Sequence, residues 1–219
     1  MPSLAAILKT TRLHFTIPGD EVFHSVAGAV EEHMAAYDAS HNFEHVLRVT
    51  GLSQSILMEE SGTYDATVVI LAALLHDMND KKYTNNADDA SKLVEILARA
   101  NVGPDVSARI IEVVNHVSYS TEKKNPERTR QVFALNPELG IVQDADRLDA
   151  IGAIGIGRAF TFGGAKMPQS SMQLPREHID DKLVKLEGLM KTNSGRLKAR
   201  KRTERLRQFA HWWDEECSL

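Results

Sequence analysis

A single cysteine, Cys217, stands in a chain of 219 residues. No internal disulfide can form, a cysteine-rich zinc site is excluded, and a reducing compartment fits. Long apolar runs are missing as well: none approaches the roughly 20 residues that span a bilayer. The opening "MPSLAAILKTTRLHF" has only a short apolar patch, without the basic start and long apolar stretch of a secretory signal. In the closing "ECSL" the cysteine is third from the end, which is not a prenylation box, and the S-K-L address is absent. The expected location is cytoplasmic or nuclear, with no membrane partner. Positive charge is not in excess. The formal net charge of -4 argues against a general nucleic-acid binder. No Asn-Gly or Asp-Gly hairpin turn occurs, and β-type alternation is weak. No Pro/Gly/Ser-rich linker divides the chain, so one domain is expected over residues 20–216, after an N-terminal extension of residues 1–19.

What is present is helical periodicity, and the expected fold class is all-α. Helices are predicted after Pro18, from about Phe43 to Glu60, and from an Asp65 cap through Leu75. Further helices are predicted near residues 86–101 and from Pro104, which suits a first helical position. "SYSTEKKNPERTRQVFALN" reads as loop with some local order, and "TFGGAKMPQSS" as a Gly/Pro loop near the site. "PELGIVQDADRLDAIGAIGIGRAF" between them reads as helical. Residues from Pro175 to Glu216 read as two long amphipathic helices broken at "TNSG". Leu206, Phe209 and Trp213 recur at helical spacing through and beyond the basic run "GRLKARKRTERLRQ". An amphipathic helix explains that run better than nucleic-acid binding does. Trp212 and Trp213 are expected in the core or an interface.

Three segments bear chemistry. His45, Val49, Leu52 and Ile56 lie at spacings of four, three and four, so His45 heads an apolar helix face. Taken alone, that describes a hydrogen-bonded core histidine more economically than a ligand. His76 and Asp77 end the apolar run from Val68 to Leu75, and an imidazole with a carboxylate suits a borderline divalent ion. Asp144, Asp146 and Asp149 crowd three carboxylates into a short stretch, which repel unless a cation offsets them. Asp146 and Asp149 share a helix face. Gly152, Gly155 and Gly157 follow, each costing about 1 kcal/mol in a helix relative to Ala, which suggests close approach of another backbone or a ligand. A solvated acidic turn followed by tight helix packing describes this segment alone equally well.

Together these segments resemble the HD-domain phosphohydrolase superfamily, whose pattern H…HD…D is met by His45, His76–Asp77 and Asp146. "SHNFEHVLRV", "HDMNDKKY", "NHVSYS", "DADRLDAIGAIGIGRAF" and "KLVKLEGLMKTNSGRLKARKR" extend the likeness to the small stand-alone hydrolases of bacteria and fungi. The likeness covers roughly residues 20–216. It implies that His45, His76, Asp77 and Asp146 hold one divalent ion. Asp146 is preferred over its neighbours because Ala145-Asp146-Arg147-Leu148 matches the superfamily's Ala-Asp-Lys/Arg-Leu. His45 is preferred over His41, which is assigned a supporting or substrate contact. The family leans towards manganese; iron, cobalt, nickel, zinc and magnesium suit the donors too. Asp80 is implied as the group that orients or deprotonates water, and Lys82 as a phosphate-neutralising cation. Arg48, Arg147 and His116 are further phosphate candidates. Superfamily members with two metals carry extra histidines between the His-Asp pair and the last Asp. Only His116 lies there, so one ion is expected. The implied substrate is a small phosphorylated molecule, a nucleotide, cleaved as a triphosphate to monophosphate and pyrophosphate. A 5′-nucleotidase-like phosphomonoesterase and a non-catalytic nucleotide sensor are the alternatives. A homodimer is compatible with the sequence.

Overall fold

The computed structural model describes residues 3–78 and 89–218. They form twelve α-helices and one 3-10 segment, with no strand among the described residues. The centre is α4 (Ala66–Leu75), in which every residue but Thr67 is buried. A helix that is apolar all round must be enclosed by others. Here α2 (Asp20–His33), α3 (Phe43–Glu59), α6 (Pro104–His116) and α9 (Glu138–Asp149) pack around it. Its start is fixed by Asp65, whose Oδ1 accepts the Thr67 and Val68 N–H groups at 3.0 and 3.3 Å. Such a cap satisfies donors that the first helical turn leaves orphaned. Arg109 of α6 bridges Asp65 to Glu138 of α9, so the cap also sets where α4 begins relative to its neighbours. A rigid start and a dry middle determine where the helix ends, at His76.

The amphipathic α3 lies against both α4 and α9, turning His45, Val49 and Ile56 into the core. α5 (Asp89–Arg99) contributes the buried Leu93 and Leu97. Residues 4–12, expected to belong to an extension, form α1 (Leu4–Arg12). Leu4, Ile7 and Leu8 of α1 are buried, and Gln54 of α3 donates to the Ile7 carbonyl at 2.6 Å. α1 is therefore part of the same core.

Three expectations about local structure are corrected. The polar stretch after His116 forms two short helices, α7 (Tyr119–Lys124) and α8 (Pro126–Leu135). Ser118 caps the first and Pro126 opens the second. The glycines of "TFGGAK" do not break α10 (Gly152–Lys166), which runs through them. The segment before "TNSG" is not one long helix. It is α11 (Gln173–Asp181) followed by a 3-10 segment (Leu183–Leu189), and α12 (Asn193–Cys217) then starts from a Thr192 cap. Trp212 is exposed, whereas Trp213 is partly buried at an interface, its ring centre 5.4 Å from that of Phe160 in α10.

Of the glycines after Asp149, Gly152 has φ 73°, a left-handed conformation at the α9–α10 corner that disfavours a side chain. At Gly155 a Cβ would meet the Ala150 carbonyl oxygen at 2.2 Å. Close approach of backbone explains that glycine. No space is contested at Gly157.

Candidate metal centre

The C-terminal end of α4, the first turns of α3 and the last turns of α9 meet at one point. Nε2 of His45 and Nε2 of His76 lie 3.1 Å apart. Asp77 carboxylate oxygens lie 3.2 Å from the first and 3.5 Å from the second. Asp146 Oδ1 lies 3.7 and 3.8 Å from the same two nitrogens. Both imidazoles are buried, whereas the Asp77 and Asp146 side chains are 16% and 27% exposed, which gives the cluster one open side.

The protonation of the rings follows from their other nitrogens. His76 Nδ1 is 2.8 Å from the Ala73 carbonyl, which can only accept, so this nitrogen carries the proton. His45 Nδ1 is 2.7 Å from Asp149 Oδ2, within a carboxylate that also receives Arg48 and Arg158. In the neutral rings both Nε2 atoms therefore present lone pairs to each other and to two carboxylates. Such a set is repulsive unless a cation lies among it. Donors bonded at about 2.1 Å to one ion sit roughly 3.0 Å apart along an octahedral edge and 3.4 Å along a tetrahedral one. The spacings of 3.1–3.5 Å among His45, His76 and Asp77 are close to these, and Asp146 Oδ1 stands a little wider, at 3.7 and 3.8 Å. The donor set fits a divalent cation.

Charge in the cluster is distributed accordingly. Burial alone would raise the Asp77 carboxyl, but His76, His45 and His41 hold it well below the carboxylate range. Burial likewise opposes ionisation of Asp149, and His45, Arg48 and Arg158 overcome it, keeping that carboxyl low too. Burial and Arg158 push the His45 imidazole down; Asp149 and Asp77 push it further up, to a net rise. These directions describe a cluster already organised for positive charge.

The open side faces a cavity of about 1310 Å³. His45, His76, Asp77 and Asp146 form one wall. His41, Lys124, Arg147, Arg158 and Lys182 supply imidazole and cationic groups elsewhere, and Tyr119 and Phe162 supply aromatic surface. Arg147 is anchored by its Nη1 to the Leu189 carbonyl at 2.8 Å and by its Nη2 to Glu122. It does not pair with the neighbouring aspartates.

A family model described as HD domain matches residues 42–151. The chain belongs to the HD-domain family. HD domains bind a divalent metal, and His45, His76 and Asp146 are grouped as such a site requires. The chain is 33% identical to YpgQ of Bacillus subtilis over 181 residues, 81% of this chain and 85% of that one. The crystal structure of YpgQ in complex with ADP superposes with a TM-score of 0.71 at 29% identity, covering 91% of this chain and 96% of that one. A protein of Lactobacillus plantarum gives 0.74 at 27%, covering 92% and 98%. An HD-superfamily hydrolase of Bacillus thuringiensis gives 0.67 at 28%, covering 90% and 96%. The chain is accordingly an HD-superfamily hydrolase.

Not every expected HD-domain site residue reaches the cavity. Asp80 and Lys82 lie outside the described residues. Arg48 is turned away: its Nε and Nη2 donate to Asp149 at 2.8 and 3.1 Å, and it lines a smaller cavity behind His45. A buried carboxylate demands a cation, and Arg48 answers that demand and not a phosphate. His116 also stands outside the cavity lining. Its Nδ1–H turns back to the Glu112 carbonyl at 2.8 Å, in the last turn of α6. Three residues carry more than the sequence reading gave them. Asp149 backs His45, Arg158 joins Asp149 to the cavity wall, and Lys182 lies 5.5 Å from the Tyr119 ring centre. The spacing of Asp146 and Asp149 on one helix face was the available signal for the first. Nothing in the sequence pairs Tyr119 with Lys182.

Proposed function

We propose that this HD hydrolase is a metal-dependent phosphohydrolase acting on nucleotides, cleaving nucleoside triphosphates to the monophosphate and pyrophosphate. The observation that carries the reading is the convergence of two imidazole Nε2 atoms and two carboxylates on the wall of a cation-lined cavity. Bound there by His45, His76, Asp77 and Asp146, one divalent ion supplies Lewis acidity, lowering the pKa of water and polarising a phosphoryl group. Manganese is the favoured ion. Lys124, Arg158 and Lys182 offset the charge of a phosphate chain, and Tyr119 and Phe162 offer rings against which a base can stack. Asp80 as the residue that orients water, and Lys82 as a phosphate-binding cation, rest on the family likeness alone. The ADP bound by YpgQ supports a nucleotide as ligand. No helix among the described residues is long and apolar enough to cross a membrane.

The test is a nucleotide panel on protein stripped of metal and reloaded with manganese, with the products identified. Pyrophosphate release from triphosphates is expected. Orthophosphate release from monophosphates would establish the phosphomonoesterase instead. Tight nucleotide binding without turnover by the loaded protein would establish a sensor.

A further inference from the structure

We propose that Asp149 is the positioning residue of the metal centre, fixing the His45 ring so that a lone pair of Nε2, and not a proton, faces the ion. This rests on the metal centre proposed above and not on the nucleotide. Asp149 ends α9, its side chain is 1% exposed, and its Oδ2 lies 2.7 Å from His45 Nδ1. Among the described residues, every other partner of its carboxylate is a donor. Arg48 of α3 gives Nε at 2.8 Å and Nη2 at 3.1 Å, and Arg158 of α10 gives Nη1 at 3.1 Å. An anion held between two guanidinium groups stays an acceptor, so the nitrogen facing it must carry the proton of a neutral ring. Arg158 is itself fixed from the far side, its Nε donating to the Ser40 carbonyl at 2.7 Å.

The geometry separates this role from a merely structural one. Asp146 and Asp149, one helical turn apart, address opposite nitrogens of one imidazole: Asp146 Oδ1 is 3.7 Å from Nε2 and Asp149 Oδ2 is 2.7 Å from Nδ1. Among the described residues Asp144, on the same helix and equally buried, touches no ring and binds only the Lys191 and Thr192 groups. A carboxylate behind a ligating histidine fixes its tautomer and raises its basicity, and its loss weakens metal binding by about 10- to 100-fold. His76 obtains its orientation from its own helix, through Ala73, and among the described residues no such carboxylate backs it. The centre thus holds one histidine set by local backbone and one set across helices.

The experiment is calorimetric titration of manganese into the metal-stripped full-length chain, as wild type, Asp149→Asn and Asp144→Asn. Circular dichroism checks that each is folded. Asp149→Asn is expected to weaken binding by about 10- to 100-fold, and Asp144→Asn to leave it unchanged even where the melting temperature falls. Equal weakening by both variants, or unchanged affinity in folded Asp149→Asn, would overturn the proposal. Nitrogen-resolved NMR of 15N-histidine wild type loaded with zinc decides the matter without any variant. A solvent-protected His45 Nδ1–H at low field is expected, and coordination through Nδ1 would overturn it. A wild type that binds neither ion overturns the metal centre and this role together. Failure to cleave any nucleotide while binding manganese would count against the proposed reaction alone.

Discussion

Asp144, Asp146 and Asp149 belong to one helix and do three different things. Asp144 accepts the Lys191 and Thr192 N–H groups at 2.8 Å each, and the Thr192 hydroxyl at 2.8 Å. It thereby fixes the turn that starts α12. Replacing it by Ala leaves buried donors unpaired, and a loss of about 1–3 kcal/mol is expected in urea unfolding. Asp146 reaches the open side of the cluster. Asp146→Ala and His76→Ala are each expected to abolish manganese binding in calorimetry and hydrolysis in the same preparations. Turnover retained by the metal-free variants would sink the role of the ion. The repulsion among these carboxylates was legible in the sequence. Their division of labour was not, because it depends on Arg48 of α3, Arg158 of α10, and Lys191 and Thr192 in the turn before α12.

Among the elements, α4 shows how an apolar run positions a site. Leu71 is fully enclosed, and Leu71→Ala is expected to cost about 2–5 kcal/mol, read from the denaturation midpoint. Removing the Asp65 cap by Asp65→Ala is expected to cost about 0.5–2 kcal/mol. α3 and α4 were readable because a long stripe and a fully apolar segment each leave a strong pattern. α7 and α8 were not, since short polar helices lack a periodic apolar face and are held by a serine cap and an N-terminal proline. In α10 the paired glycines signal a break that packing overrides, with Gly163 buried against Pro175.

The whole molecule is closed by α12, which reaches back to α3. Lys198 Nζ lies 2.6 Å from Glu59 Oε2, and the Ser194 N–H donates to Glu60 at 2.7 Å. Lys198 and Ser194 hold the Glu59 carboxyl below its ordinary 4.5. Glu122 is lowered as well: burial works against ionisation, and Lys191 and Arg147 outweigh it. A carboxyl whose folded pKa is depressed stabilises the fold above its unfolded pKa and loses that contribution as pH falls through the folded value. Stability is therefore expected to fall below about the ordinary glutamate value of 4.5. Glu122→Gln should flatten the acid limb of urea midpoints measured against pH. An unchanged acid limb in that variant would contradict it. Metal acts at the same scale, because an ion held only by the folded chain raises the melting temperature with its concentration. Added chelator should reverse that rise, about 2.7 kcal/mol at an ion concentration of 100 times the dissociation constant.

By itself the sequence determined the helical class, the apolar segment that becomes α4 and the order of histidines and aspartates along the chain. Those are properties of composition, periodicity and neighbouring residues, and a chain carries them before it folds. Only the tertiary structure decided that two Nε2 atoms 31 residues apart in sequence meet at 3.1 Å. It also decided that Arg48 serves Asp149 and not the cavity. The reason is the cost of burying charge. A carboxylate enclosed by helices must be paired by whatever cation those helices bring within reach, and packing alone selects which one arrives.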